Sequence, residues 1–557
     1  MVLESATVML ADERAPERAR GRSKVAPGSV VARAFSEGRV VFGLGLALNL
    51  LMVWVVVYEL ELFVTDGMAR TVAAWRVFFS VEPKLSEIGF VWAPLSTILQ
   101  LPLVLLPQLR EHGLSGNVVT AVMGAVTIVS LNRIFRSFEL GRALRYTLLT
   151  LFAINPMILF YSSNAMSEMT WICFVILSID YLVQWHFTRS IRALILMGFT
   201  VGLALLARYD TAIHALLLLA VLYLLVRQRR TAPSEAQALL VTYFLPVCFL
   251  GGLWVLFNLL IMGDALHFVR GAYSNAAQIG YQEAFIDSIA QLRGNPGAII
   301  TFLVHQIWLL FPVYLVGLCV LMVDVVRTGN RVSLALIVLA LSFPAFQALN
   351  FYAGQSAAFL RYFMLAIPFG YLFMAYLIGR LRTGRLRNSV AVLAIAGLVI
   401  SNFSSANAMA RTANANEWGQ WNDVFLRSVL TWTPVNTWRE EREIAEYLKS
   451  RVTGREVLVD AFQGYRVIFF TEDPAMWIAN GDHDFEQALL APTKHARFIM
   501  VSRPQLDGQL NRINQRYPSL YEHGTEELEL LQEWPLIGWR LYEVRAGIEA
   551  AREGGNS

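Results

Sequence analysis

The sequence predicts an all-α polytopic membrane protein of about eleven transmembrane helices, followed by a small C-terminal α/β domain outside the cytoplasm. Three observations carry that prediction. Of the 557 residues, 56% are hydrophobic and 16% charged, with a mean hydropathy of +0.49, an apolar excess that only lipid can absorb. The apolar residues gather into runs close to the roughly 20 that a helix needs to cross a hydrocarbon core of about 30 Å. Beyond residue 405 the composition becomes that of an ordinary soluble domain. The 46 basic and 42 acidic residues leave a net charge of +4, too even a balance for a nucleic-acid binder of this size. The same figures exclude a disordered chain, a collagen and a disulfide scaffold. Cys173, Cys248 and Cys319 all sit inside apolar runs and read as small buried hydrophobes.

Taken in order, residues 1–39 form a polar tail with Arg14, Arg18, Arg20, Arg22 and Lys24 ahead of the first apolar run. Nothing there resembles a signal peptide, so the tail is expected in the cytosol. The membrane region, 40–404, holds twelve apolar runs, near 40–57, 91–109, 117–133, 143–161, 171–187, 190–207, 211–227, 237–260, 299–325, 332–351, 358–379 and 388–404. Basic groups at Arg227, Arg229 and Arg230, at Arg327 and Arg331, and at Arg380, Arg382, Arg385 and Arg387 belong in the cytosol by the positive-inside rule. An internal N-terminus and an external C-terminus demand an odd number of crossings, so one run is re-entrant, broken or fused, with the block 117–207 as the expected place. External stretches follow at 59–90, 263–296 and 405–557. In the last, Thr437–Arg451 has helical spacing, while Val457–Asp460, Phe498–Val501 and Gly538–Val544 read as strands. No Walker loop, dinucleotide fingerprint or zinc spacing occurs.

Ionisable groups near membrane depth are candidates for function. In the first external loop, Met68, Val72, Trp75 and Phe79 recur with the spacing of an amphipathic helix in the membrane interface. Asp66 stands at its start, as an N-cap, a general base or both. Glu59 and Glu61 mark the preceding helix end. Glu168, after Tyr161-Ser-Ser-Asn-Ala-Met-Ser, is either a first-turn acid or a site residue. Arg208, two residues from Asp210, is placed either to bind a phosphate or to pair locally. His305 reads as an interhelical hydrogen-bonder or a site group. Arg361 with Tyr362 stands at the mouth of an otherwise uncharged run, where it either snorkels or anchors an anionic lipid. Asp324 reads as a helix terminator. Asp264, His267, Arg270, Tyr273, Tyr281 and Glu283 populate the second loop without a telling spacing.

Thr65-Asp66-Gly67 with Ala69, Ala73 and Ala74, then Trp92-Ala-Pro94-Leu95, Asn155-Pro156, Ser162 to Glu168, Gly202 to Arg208, and Arg361 with Pro368 occur in an order and on membrane sides that resemble the GT-C superfamily of integral-membrane glycosyltransferases. That superfamily includes protein O-mannosyltransferases and lipid A aminoarabinose transferases. The chain departs from the common Asp-Glu pair, having Gly67 where the second acid would stand. The resemblance implies an enzyme of the inner or plasma membrane that transfers a sugar, with inversion, from a polyprenyl-phosphate donor to a glycan, lipid or protein acceptor at the external face. Asp66 would be the base and Arg208 and Arg361 the phosphate ligands, with Glu168, Asp210, His305 and Tyr362 as further site candidates. External carboxylates are compatible with a divalent metal, but no spacing defines a site and no cofactor is assigned. Membrane lipids are expected partners and nucleic acid is not. The alternatives are an oligosaccharide ligase or polymerase of envelope glycans and, from another class, a lipid or glycolipid transporter. Against the transporter, the sequence has no internal repeat.

Overall fold

The structure, a computed structural model, describes residues 27–228, 232–274, 277–278, 290–411 and 421–545. Most of the polar tail, Arg229 and Arg230, and Tyr281 and Glu283 of the second loop lie outside the described residues.

The chain is a multi-pass helical bundle with a mixed α/β domain seated on one end. Helix α1 (Pro27–Trp54) runs into a π turn at Val55–Glu59, and α2 (Thr65–Phe79) follows at once. The bundle continues with α3 (Ser115–Ser137), α4 (Arg142–Ala153), α5 (Pro156–Tyr161), α6 (Ser167–Thr188), α7 (Ile191–Ala207), α8 (Thr211–Gln228) and α9 (Pro233–Met262). It closes with α10 (Pro296–Leu310), α11 (Pro312–Thr328), α12 (Arg331–Ala340), α13 (Ser342–Ala353), α14 (Ala366–Gly379) and α15 (Arg385–Arg411).

Among the described residues, eight helices are long and apolar enough to cross a membrane, or nine if α10 and α11, bent by 115° at Phe311, count as one. The other runs behind the expected eleven crossings are short or interrupted. Helix α7 has 17 residues. The run 143–161, inside the block where a break was expected, stops at Asn155-Pro156. There Pro156 cannot donate to the preceding turn, and the Asn155 carboxamide instead caps α5 by accepting from the Met157 and Ile158 amides. Outside that block, the run 91–109 forms only four-residue turns at Leu95–Ile98, Leu101–Val104 and Pro107–Arg110, with Pro102 and Pro107 dividing it. Helix α14 is buried almost throughout and is the axis of the bundle, whereas α9 and α15 turn most of their residues outward. Cys173 is buried, but Cys248 and Cys319 lie on outward faces, contrary to their reading as core residues. A face turned to lipid can be as apolar as a core.

The C-terminal domain comprises α16 (Asn422–Thr431), α17 (Arg439–Lys449), α18 (Ala461–Thr471) and a five-stranded sheet in the order β2-β1-β3-β5-β4. The strands are β1 (Val457–Val459), β2 (Trp477–Ala479), β3 (Phe498–Ser502), β4 (Leu528–Trp534) and β5 (Trp539–Val544). β1 pairs in parallel with β2 and β3, and β5 runs antiparallel to β3 and β4.

This domain corrects the reading of α2 as an interfacial helix. Met68, Val72 and Trp75 are fully buried in one cluster with Trp438 and Phe469 of the domain, and Trp75 stacks on Phe469 at 5.3 Å between ring centroids. The apolar stripe is covered by protein and not by lipid, at about 1.5–3 kcal/mol for each large side chain buried. Polar ties hold the same joint. Arg76 binds Glu87 at 2.7 Å and Asp482 at 3.1 Å, and Arg455 reaches Asp482 at 3.1 Å. The second loop is tied in as well, because the Tyr273 hydroxyl donates to Asp460 at 2.8 Å and its ring stacks on Phe462.

Candidate active site

Helical geometry gives α2 two faces with different tasks. Trp75 is nine residues, or two and a half turns, beyond Asp66, so burying Trp75 under the C-terminal domain turns Asp66 toward the bundle. Arg70, one turn after Asp66, shares its face. Helix α2 begins at Thr65 after Val64, with no side chain capping it. The Asp66 carboxylate is therefore not an N-cap. It accepts from Arg361 Nη1 at 3.0 Å instead.

Around that pair the ends of four elements converge. Arg361 and Tyr362 come from a 3₁₀ turn at Leu360–Phe363 just ahead of α14. Glu168 comes from the first turn of α6, where its side chain is 1% exposed. Arg208 ends α7, and Asp210 lies in the short turn to α8. Glu168 Oε1 accepts from Arg208 Nη1 at 2.7 Å and lies 3.5 Å from Arg361 Nε. Arg208 Nη2 also donates to Asp210 at 3.0 Å, so its local pairing and its place in the cluster coexist. The Tyr362 ring sits between the two guanidinium groups, 4.9 Å from that of Arg208 and 5.8 Å from that of Arg361. The Trp171 ring lies 5.2 Å from the Arg208 guanidinium as well. His305 does not join this group; it lies on an exposed face of α10 and makes no hydrogen bond or ion pair among the described residues.

Sequence reasoning passed over Arg70. It is buried, its Nη1 donates to the Asp66 main-chain carbonyl at 3.1 Å, and its guanidinium lies 5.0 Å from the Trp92 ring. Its spacing of four from Asp66 was the available signal. With it, three arginines (Arg70, Arg208, Arg361) face three carboxylates (Asp66, Glu168, Asp210). The balance is even, but the bonding is not complete. The Nε atoms of all three arginines and Glu168 Oε2 are buried without a hydrogen-bond partner, a costly condition for a group that only fills space.

Asp66 is the most open member, with 29% of its side chain exposed. Burial works to raise its carboxyl, but the charges of Arg361 and Arg70, the Arg361 hydrogen bond and the charge of Arg208 outweigh it and hold the group below the ordinary carboxylate value. Gly67 explains the departure from an Asp-Glu pair. A Cβ there would stand 2.7 Å from the Asn164 carbonyl oxygen and 3.0 Å from the Ala165 Cβ, so the chain segment before α6 occupies the space of a side chain. That close approach is also what delivers Glu168 to the cluster from another helix. Among the described residues, no three His, Cys, Asp or Glu side chains are grouped as metal ligands.

Comparisons with known proteins agree with this architecture. Residues 104–254, which include Glu168, Arg208 and Asp210, match the family model of dolichyl-phosphate-mannose-protein mannosyltransferases. The structure of ArnT from Cupriavidus metallidurans bound to undecaprenyl phosphate superposes with a TM-score of 0.50 at 13% identity, covering 93% of this chain and 98% of its own. The apo form of that protein gives 0.51 at 12% identity, over 91% and 98%. No curated protein sequence matches the chain. Residues 104–254 are thus similar to that mannosyltransferase family, and the bundle with its appended α/β domain shares the fold of ArnT.

Proposed function

We propose that the protein transfers a sugar from a polyprenyl-phosphate donor to an acceptor hydroxyl at the external face of the membrane, with inversion, using Asp66 as general base and Arg208 and Arg361 as phosphate ligands. The observation that carries this reading is the Asp66–Arg361 contact. A partly open carboxylate rests on a buried guanidinium that is itself tied, through Glu168, to a second one. The charge pattern supports the external side. Arg361 and Arg380 flank the two ends of one span, and Arg380 belongs to the basic group that the positive-inside rule assigns to the cytosol. The donor class is supported by the ArnT solved with undecaprenyl phosphate and by the scarcity of nucleotide sugars outside the cytosol.

In the reaction the acceptor oxygen attacks the anomeric carbon as the bond from that carbon to the phosphate oxygen breaks. The hydroxyl proton passes to Asp66, and polyprenyl phosphate departs with the bonding electrons, its new negative charge met by the arginines. The even charge balance at rest gives donor binding a further effect. A phosphate added to the cluster competes with a carboxylate for a guanidinium, and Asp66 is the most exposed competitor. Donor entry between Asp66 and Arg361 would free the base and remove the charge that holds its carboxyl low. Arg70 then completes a cationic wall behind the phosphate. The second external loop and the C-terminal domain, joined by Tyr273 and Asp460, would border the acceptor.

The test is turnover by purified full-length protein of a panel of radiolabelled polyprenyl-phosphate sugars, comparing wild type with Asp66→Asn. Loss of about 10²–10⁴-fold is expected. Equal turnover by the variant removes Asp66 as base. No turnover of any donor, together with lipid scrambling in vesicles, would overturn the transferase reading.

A further inference from the structure

At the other end of the bundle, where Arg380, Arg382, Arg385 and Arg387 lie, the last turns of α8 and the first turns of α12 enclose a groove of about 440 Å³. Leu224, Leu225 and Leu334 line it together with Arg227 and Arg331, and no carboxylate is among its lining residues. The acid nearest Arg331 in sequence, Asp324, is already engaged. It pairs with Arg380, accepts from Ser333 Oγ at 2.5 Å and from Asn330 Nδ2 at 3.0 Å. Arg227 donates to the Tyr223 hydroxyl at 3.3 Å. Among the described residues Arg331 makes no hydrogen bond or ion pair.

We infer that this groove binds an anionic phospholipid of the adjacent leaflet, its phosphate between Arg227 and Arg331 and its acyl chain along Leu224 and Leu334. Two exposed guanidinium groups on one groove, with no carboxylate lining it, present a local positive charge that an anion can bridge. A soluble anion would leave the leucine walls wet. A lipid supplies both missing parts, and basic pockets between membrane helices on this side attract anionic headgroups at about 1 kcal/mol per arginine. The site is separate from the Asp66 cluster and does not depend on the proposed chemistry.

Delipidated full-length protein, offered phosphatidylglycerol, phosphatidylcholine or inorganic phosphate and read by native mass spectrometry, tests this. Phosphatidylglycerol should be retained as a one-to-one adduct well above phosphatidylcholine. Arg227→Gln with Arg331→Gln should weaken that retention about thirty-fold. Leu334→Trp, which keeps both charges and fills the groove, should also abolish it, while Arg382→Gln with Arg385→Gln, an equal loss of charge outside the groove, should leave it in place. Melting temperatures within a few degrees of wild type show that the variants are folded. Equal retention of phosphatidylcholine, equal loss in the off-groove variant, or displacement of the lipid by inorganic phosphate would each overturn the inference.

Discussion

The Asp66 end and the Asp324 end of the bundle are built from the same materials: an aspartate, an arginine from a distant helix end, and a tyrosine. At the Asp324 end every bond is closed. The carboxylate takes Arg380, Ser333 and Asn330, Asn330 also donates to the Tyr376 hydroxyl, and no buried polar atom of the group is left without a partner. At the Asp66 end three guanidinium groups crowd together, four buried polar atoms make no hydrogen bond, and Asp66 keeps 29% of its side chain open. A closed polar knot ties helices together, whereas an open one holds bonding capacity for something that arrives. The sequence presents Asp324 as a helix terminator, and the structure gives it a larger role as the hub of a knot between helices.

If this contrast is right, Asp66→Asn should show the largest effect of any change considered, the 10²–10⁴-fold loss of turnover, with little change in melting temperature because Arg361 keeps Glu168 beside it. Glu168→Gln should act differently. It strips the carboxylate shared by Arg208 and Arg361 and leaves buried guanidinium charge uncompensated, at about 3–5 kcal/mol of stability, visible in thermal denaturation together with weaker donor binding. A variant as stable as wild type would mean that Glu168 carries no structural charge pairing. Asp324→Asn should cost about 1–3 kcal/mol yet leave turnover per folded molecule within about twofold. A collapse of activity in that variant would erase the distinction between the two ends.

The smallest effect is one of pH. A carboxylate held below its ordinary value contributes stability that is present above the unfolded value and is lost only as the pH falls through the lowered one. Asp66 is such a group. Around neutral pH it should add no slope to stability, and the acid limb it gives to kcat/KM should lie below the ordinary carboxylate range. Because donor entry parts it from Arg361, the acid limb of kcat should lie above that of kcat/KM. Coincident limbs would show that the ion pair survives in the donor complex.

Much of the fold was legible because the signal was local. Apolar runs bounded by arginines marked the helices, and β1, β3 and β5 were readable as short apolar stretches. β2 was missed because Trp477–Ala479 is three residues long, and β4 because Leu528–Trp534 carries Glu529, Gln532 and Glu533. Asp66, Glu168, Arg208, Asp210, Arg361 and Tyr362 each stood out as a polar residue in an apolar setting, and the structure gathers these six into one cluster. His305 stood out equally and lies elsewhere, since an isolated polar residue carries no information about its neighbours. Arg76, Glu87 and Asp482, which bring the C-terminal domain onto α2, drew no attention because Arg76 and Asp482 are 406 residues apart.

What the sequence determined by itself was which segments form long apolar helices and which belong to a polar domain, because hydropathy is a sum over neighbouring residues. Which charges meet was decided only by the tertiary structure. Whether Asp66 caps a helix or pairs with an arginine depends on which face of α2 the distant domain covers. Likewise, whether a second acid reaches the site depends on the close approach of Asn164 to Gly67. Both are contacts between segments far apart in the chain, and no local pattern encodes them.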